Sequence, residues 1–231
     1  MAIVSVHLAD VGIPASLRLL RRPRPASNDG VLHADAGIAA TFGKFPARPS
    51  PRRIGLICSW SDHDALDRFE AEHPLAQQLA DGLTVHARPL RIHGAWPGID
   101  EDVPKQRDVA HDGPVMVVTL ARTKATKAVP FGRASTPAER VVTTAPGNLF
   151  TSAVIRYPFM STVSLWESPE AVQDYAYSGK QTGHPEAIAA GRAKSFHHEQ
   201  AFVRLAIDSA TGSLGGSNPL TADTVRLAGG S

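Results

Sequence analysis

Two histidines in this 231-residue chain are each followed by a proline, as His73-Pro74 and His184-Pro185. Proline confines the residue before it to extended backbone and itself suits the first turn of a helix, so each imidazole leaves the chain at a fixed joint. A ring held in that way can present a nitrogen to a metal. It can equally serve as a helix-start residue, although Ser and Asp cap better. The neighbourhoods differ. His184 follows YAYSGKQTG, an aromatic and glycine-containing stretch able to wrap a planar cofactor, whereas His73 follows the charged run RFEAE and reads as solvated.

Other combinations point to less chemistry. In the run His197-His198-Glu199 the two histidines are neighbours, and neighbours on a strand face opposite ways, so they do not chelate one ion and zinc is not expected. Cys58 is the sole cysteine, which excludes an internal disulfide and a multi-cysteine metal site; within IGLICSW it reads as a buried thiol. The sequence has no GxSxG elbow, no phosphate-cradling glycine loop and no HExxH, so hydrolase and nucleotide chemistry lack a positive signal. With 42% hydrophobic and 20% charged residues the composition is that of a soluble globular protein. A net charge of +2 gives no field to draw in nucleic acid or an anionic membrane. The basic run RLLRRPRP reads as the end of a short helix, where cations complement the dipole and prolines stop it. No apolar stretch reaches the length of a membrane span and no secretory signal opens the chain, so cytoplasmic residence is expected.

The histidine joints belong to a repeat. CSWSDHDALDRFEAEHPLAQQL (58–79) and SLWESPEAVQDYAYSGKQTGHPEAI (164–188) align Trp60 with Trp166, Ala65 with Ala171, Leu66 with Val172 and Phe69 with Tyr175. The second copy then carries five extra residues before its His-Pro pair. A period of this size marks a duplicated unit. The elements around it repeat as well. In the first half, strands are expected at 2–8, near 38–42, at 54–60 and at 83–92, with helices over 14–22, after Ser61 as N-cap, and over 74–80. A Pro- and Arg-rich loop is expected at 45–53. The second half repeats the order with strands at 115–120, 150–157, 161–166 and 201–207, and with helices over 130–143 and from the Ser168-Pro169-Glu170 cap.

Each half therefore reads as a β-α-β-β-α-β unit of the ferredoxin-like, split βαβ kind. The expected fold class is α+β, tandem ferredoxin-like repeats forming a dimeric-α/β-barrel-like fold within one chain. Its divisions are an N-terminal repeat over 1–94, a connector over 95–114, a C-terminal repeat over 115–208 and an irregular Gly/Ser-rich tail over 209–231. Two half-covered sheets can bury each other, and a cavity between sheet and helices would receive a ligand. The repeat also predicts that Trp60 and Trp166 end equivalent strands and that Leu66/Phe69 and Val172/Tyr175 pack inward from equivalent helices.

Several of these stretches together resemble the spheroidene monooxygenase family. They are SLWESPEAVQDYAY, GHPEAI and EQAFVRL, the earlier GLTVHARPLRIHGAWPGI with its Gly-x-Trp-x-Gly turn, and TGSLGGSNPL; the resemblance runs from about Leu56 onward. It implies a dimeric-α/β-barrel-like oxygenase, oxygenation of a carotenoid in the best-known members, and haem as cofactor. The histidine that matches is His184, as axial ligand to the iron. Arg156, Tyr157 and Met160 depart from the family pattern at positions facing substrate. The reading that follows is a haem-dependent monooxygenase of a small or apolar metabolite in secondary metabolism. Here Arg156 is the distal charge, Trp166 and Tyr175 are pocket walls, and a small-molecule substrate, an electron donor and a homo-oligomer are the partners. Two alternatives remain open: a haem enzyme of other chemistry, such as dehydration or N–N bond formation, and a cofactor-free ligand-binding module.

Overall fold

The computed structural model describes residues 2–21, 25, 29–41, 48–99, 103–106, 110–177 and 196–220. The first half contains β1 (Ile3–Asp10), α1 (Ile13–Arg21), β2 (Val31–Thr41), β3 (Arg48–Trp60), α2 (His63–Glu72), α3 (Pro74–Leu79) and β4 (Leu83–Gly94). The second contains β5 (Val115–Thr123), α4 (Ala128–Val142), β6 (Asn148–Arg156), β7 (Phe159–Trp166), α5 (Pro169–Tyr177) and β8 (His197–Thr211). The eight strands close into one barrel in the order β1-β3-β2-β6-β7-β5-β8-β4. Each half is thus an antiparallel sheet of order 4-1-3-2, the ferredoxin-like arrangement, and the halves meet at two seams. Among the described residues the β4–β8 seam has ten register pairs and β2–β6 has three, Ile38–Ala40 against Ala153–Ile155.

The repeat holds at the level of single residues. Ile3 and Val31 flank Trp60 in the first half, and Val115 and Asn148 flank Trp166 in the second. Both β2 and β6 carry a register shift at the same place, between Val31 and His33 and between Asn148 and Phe150. Each tryptophan is buried at the end of its strand against the aromatic residue of the following helix. Ring centroids are 4.8 Å apart for Trp60–Phe69 and 5.2 Å for Trp166–Tyr175. Leu66 and Val172 are buried beside them.

Alternation along the strands divides the core in two. Interior residues such as Val6, Ile57, Val85, Val118, Val154, Val163 and Leu205 fill the barrel. Outward residues of β1 to β3 pack under Leu19 of α1, Leu66 and Phe69 of α2, and Leu75 and Leu79 of α3.

Three expectations require correction. The loop expected at 45–53 is strand from Arg48 onward. Its prolines are tolerated because the β1 ladder begins at Arg53, with the Val11 and Gly12 amides reaching only as far as Arg52 O, so Pro49 pairs with Ala40 of β2 from one side. The cap of α2 is Asp62, which accepts from the Ala65 amide at 2.8 Å, while Ser61 donates to Asp62. The closing strand continues to Thr211, because β4 offers partners as far as Thr84; Arg88 and Asp208 pair across it at 2.8 Å. Beyond it, Leu220 returns to the barrel core.

The short seam depends on two glycines. A Cβ on Gly37 would lie within 2.8 Å of the backbone of Ile155, and one on Gly55 would meet Val154 at 2.5 Å. Backbone cannot step aside as a side-chain tip can. Gly37→Ala is therefore expected to cost about 2 kcal/mol or more, read as a lower urea midpoint at unchanged m value; a loss within measurement error would show that the seam yields.

Candidate functional site

The duplication supplies an internal comparison. On the helix side of the first half, β1 presents Ser5, His7 and Ala9, β2 presents Ala34 and Ala36, and β3 presents Ile54, Leu56 and Cys58, all of them buried. The register places Val117, Thr119 and Ala121, Thr151 and Ala153, and Met160, Thr162 and Ser164 at the equivalent positions. Leu56 thus becomes Thr162, Cys58 becomes Ser164 and Ala34 becomes Thr151. Val117, Thr119, Thr151, Ala153, Met160 and Thr162 are only partly buried. Among the described residues the second half therefore has a partly exposed floor carrying Thr119, Thr151 and Thr162, while the repeat counterpart of α3, which covers the first half, lies outside them.

Two groups of side chains bound this floor. At one end Trp166 and Val172 pack with Val142 and Ala145. Trp166 donates from Nε1 to Ser164 Oγ at 2.9 Å, as Trp60 does to Ser5 Oγ at 2.8 Å. With 1% exposure, Trp166 has almost no free surface to offer a cofactor. Burial raises the Tyr175 hydroxyl to about 12, with Glu139 adding to the effect, so it stays protonated at neutral pH. At the other end stand Phe131, Phe196 and His197, with the rings of Phe131 and His197 4.5 Å apart.

The predicted site residues do not form one cluster. Arg156 ends β6 opposite Phe159, whereas Trp166 pairs with Asn148 at the start of β6. That separation is roughly 25 Å along the strand. Arg156 also shares the interior-facing register of Val154, while Trp166 faces the helices, which corrects the expectation of a single pocket built from Arg156, Trp166 and Tyr175. His184 lies outside the described residues. Its counterpart His73 is structural: Nδ1 accepts from the Leu75 amide at 3.1 Å, capping α3, and the ring lies 5.1 Å from Phe69.

Sequence reasoning missed a second polar cluster, inside the barrel. His33 Nε2–H donates to Asp35 Oδ2 at 2.7 Å, with Asp35 almost wholly buried. Arg122 approaches Asp35 at 3.5 Å and Glu199 at 3.3 Å and lies over the Trp96 ring, its Cζ 4.5 Å from the centroid. Trp96 comes from the Gly-x-Trp-x-Gly turn. Gly98, at φ +75°, presses that turn so close that a Cβ would meet Ser59 Oγ at 2.5 Å and His33 Cβ at 2.8 Å. The signal was available in His33-x-Asp35, two polar residues on one face of a strand. These groups satisfy one another, and the adjoining void is narrow and lined mainly by Val4, Ile57, Val118, Leu120, Val203 and Leu205. The cluster closes the barrel and leaves the helix-side floor of the second half as the candidate ligand chamber.

Against known proteins, no family model matches the chain. Spheroidene monooxygenase of Rhodobacter capsulatus is 27% identical over 184 residues, spanning 76% of this chain and 75% of that protein. The chain is similar to a monooxygenase. Two crystal structures of aldoxime dehydratase, the second in complex with butyraldoxime, superpose with TM-scores of 0.51 and 0.50. Their identities are 11% and 12%, over 89% of this chain and 81% and 79% of theirs, so they share its fold. Among the described residues no helix is long and apolar enough to cross a membrane, and no three metal-ligating side chains gather.

The closed floor of the first half has a measurable consequence at His7. Its ring is buried, with Nδ1 at 3.1 Å from Thr84 Oγ1 and Nε2 at 3.0 Å from Ser5 Oγ, and burial pushes its pKa down to about 4. Glu70 opposes that shift and His86 adds to it. The folded value lies below the unfolded one, so below pH about 6.5 the unfolded chain takes up a proton that the folded chain refuses. Stability is complete above that pH and drains away as pH falls toward 4. Between pH 7 and 5 the loss should be about 2 kcal/mol. Urea melts of His7→Phe should show a flatter pH slope than the wild type, whatever its absolute stability; equal slopes would remove His7 from the account.

Proposed function

We propose that this chain is an oxygenase-type enzyme, a haem-dependent monooxygenase that binds a small or apolar metabolite between the sheet and helices of its second half. The observation that carries the reading is the contrast between two equivalent faces. One is packed shut with Leu56, Cys58 and Ala34; the other carries Thr162 and Thr151, which are only partly buried. Likeness to spheroidene monooxygenase supports the oxygenase class, and it alone supports a place in secondary metabolism.

The described residues fit a haem in two respects. The floor lies open between sheet and helices, and a buried imidazole nitrogen, Nε2 of His197, has no hydrogen-bond partner. Bound haem supplies an iron centre able to activate dioxygen. In this reading His184, outside the described residues, would hold the iron, Tyr175 keeps a protonated hydroxyl at the Trp166 end, and the threonines of the floor would orient the substrate. Insertion of one oxygen atom with release of the other as water consumes two electrons and two protons. A separate electron donor is therefore part of the proposal.

The test begins with an absorption spectrum of protein produced with ample haem. A Soret band is expected in the wild type and in His73→Ala, and its loss or a strong shift in His184→Ala. A wild-type protein without the band sinks the haem reading; an unaltered band in His184→Ala sinks the ligand assignment.

A second variant probes the chamber itself. Thr162→Leu restores the side chain of the closed half, and it should fold with stability equal to or up to about 1 kcal/mol above wild type while binding less haem. Undiminished haem binding in a stable Thr162→Leu protein would place the chamber elsewhere.

A further inference from the structure

His197 owes its direction to a bulge. Arg122 pairs with Glu199 and the next residue of β5, Thr123, pairs with His197, so His198 is an extra residue in β8. Without it His197 would share the interior register of Glu199 and Ala201. The insertion turns His197 to the helix side, beside Phe131 of α4, and leaves His198 exposed. The ambiguity of the His-His pair is thereby resolved in favour of one ring.

That ring is prepared for proton transfer. Its Nδ1 lies 2.9 Å from Gln200 Oε1, and because an amide oxygen only accepts, Nδ1 carries the hydrogen. Nε2 then bears the lone pair, buried and with no hydrogen-bond partner among the described residues. Leaving such an atom unsatisfied costs on the order of 1–3 kcal/mol, a cost that a bound partner would remove. Burial also holds the ring below its usual pKa, with Lys124 acting in the same direction and the Gln200 contact opposing, so the neutral form prevails.

We propose that His197 is the proton-transferring residue of the second-half chamber, its Nε2 accepting and returning a proton of the molecule bound there, with Gln200 as the positioning residue that fixes its tautomer. This rests on the haem reading above. There it meets a stated requirement, since two protons must reach the oxygen released as water.

Cyanide uptake by the ferric haem protein is the test, because hydrogen cyanide must lose its proton as the anion binds iron. In the wild type that proton passes to His197 Nε2 and on to solvent. At neutral pH, His197→Ala and His197→Phe are expected to take up cyanide roughly a hundred-fold more slowly. The gap should close at alkaline pH, where cyanide is already the anion, and His198→Ala should match the wild type. His197→Phe keeps an aromatic ring against Phe131, and Gln200→Leu, changed at an exposed position, leaves the packing intact and should slow uptake several-fold in the same pH range. Wild-type protein without a Soret band overturns the haem reading and this role with it. A wild type with the band, but with neutral-pH rates unchanged in the His197 and Gln200 variants, overturns the role of His197 alone. A slowing that persists undiminished at alkaline pH marks a structural effect and overturns proton transfer.

Discussion

The barrel closes where backbone meets backbone. Among the described residues ten register pairs join β4 to β8 and three join β2 to β6, and there Gly37 and Gly55 let β6 approach closer than any side chain would permit. Without that approach each half would expose an apolar sheet face, since Val6, Ile57, Val154 and Val163 all lie in the interior cluster. Closure is thus a steric condition met by the absence of two side chains, with hydrophobic burial as the reward. The seam also fixes how the halves face each other, and hence which surfaces remain for helices and ligands.

Closure decides where chemistry can take place. The interior is filled mainly by apolar side chains, and one charged cluster there is spent on itself, Asp35 with His33 and Arg122, and Arg122 with Glu199 and Trp96. A buried carboxylate is tolerable when its partners are this close, and removing any partner would leave a charge stranded. This cluster borders the narrow void inside the barrel. The two halves differ on the outside, between sheet and helices.

Much of the fold could be read from the chain because duplication states each element twice. The tryptophan–aromatic anchor, the split βαβ order and the helix-start role of His73 follow from aligned residues, local capping and hydrophobic period. The errors share a cause in nonlocal pairing. Residues 48–53 look like loop because of their prolines, yet β2 recruits them as a one-sided edge. Asp208 looks like the beginning of a tail, yet β4 pairs past it. The candidate site was less legible for the same reason. Which end of β6 carries Arg156, and which way His197 turns, depend on register and on one inserted residue, neither of which has a local signature. His33 and Asp35 did have one, two polar residues on a single strand face, but it means little until Arg122 and Trp96 arrive from distant parts of the chain.

The open floor of the second half carries a thermodynamic cost that the first half shows to be avoidable. On one scaffold, with the same strand order and the same tryptophan anchor, the position of Leu56 is filled by Thr162 and that of Ala34 by Thr151, and both threonines remain partly exposed. Exchanging a buried leucine for a half-exposed threonine gives up on the order of 1–3 kcal/mol of burial. Stability alone would select the packing of the first half. At the same end of the second half as Arg156, a bulge turns His197 outward, with one nitrogen held by Gln200 and the other without a partner among the described residues. Thr151, Thr162 and His197 thus share the helix-side face of the second half, and it is on that face that the two copies of the repeat part company.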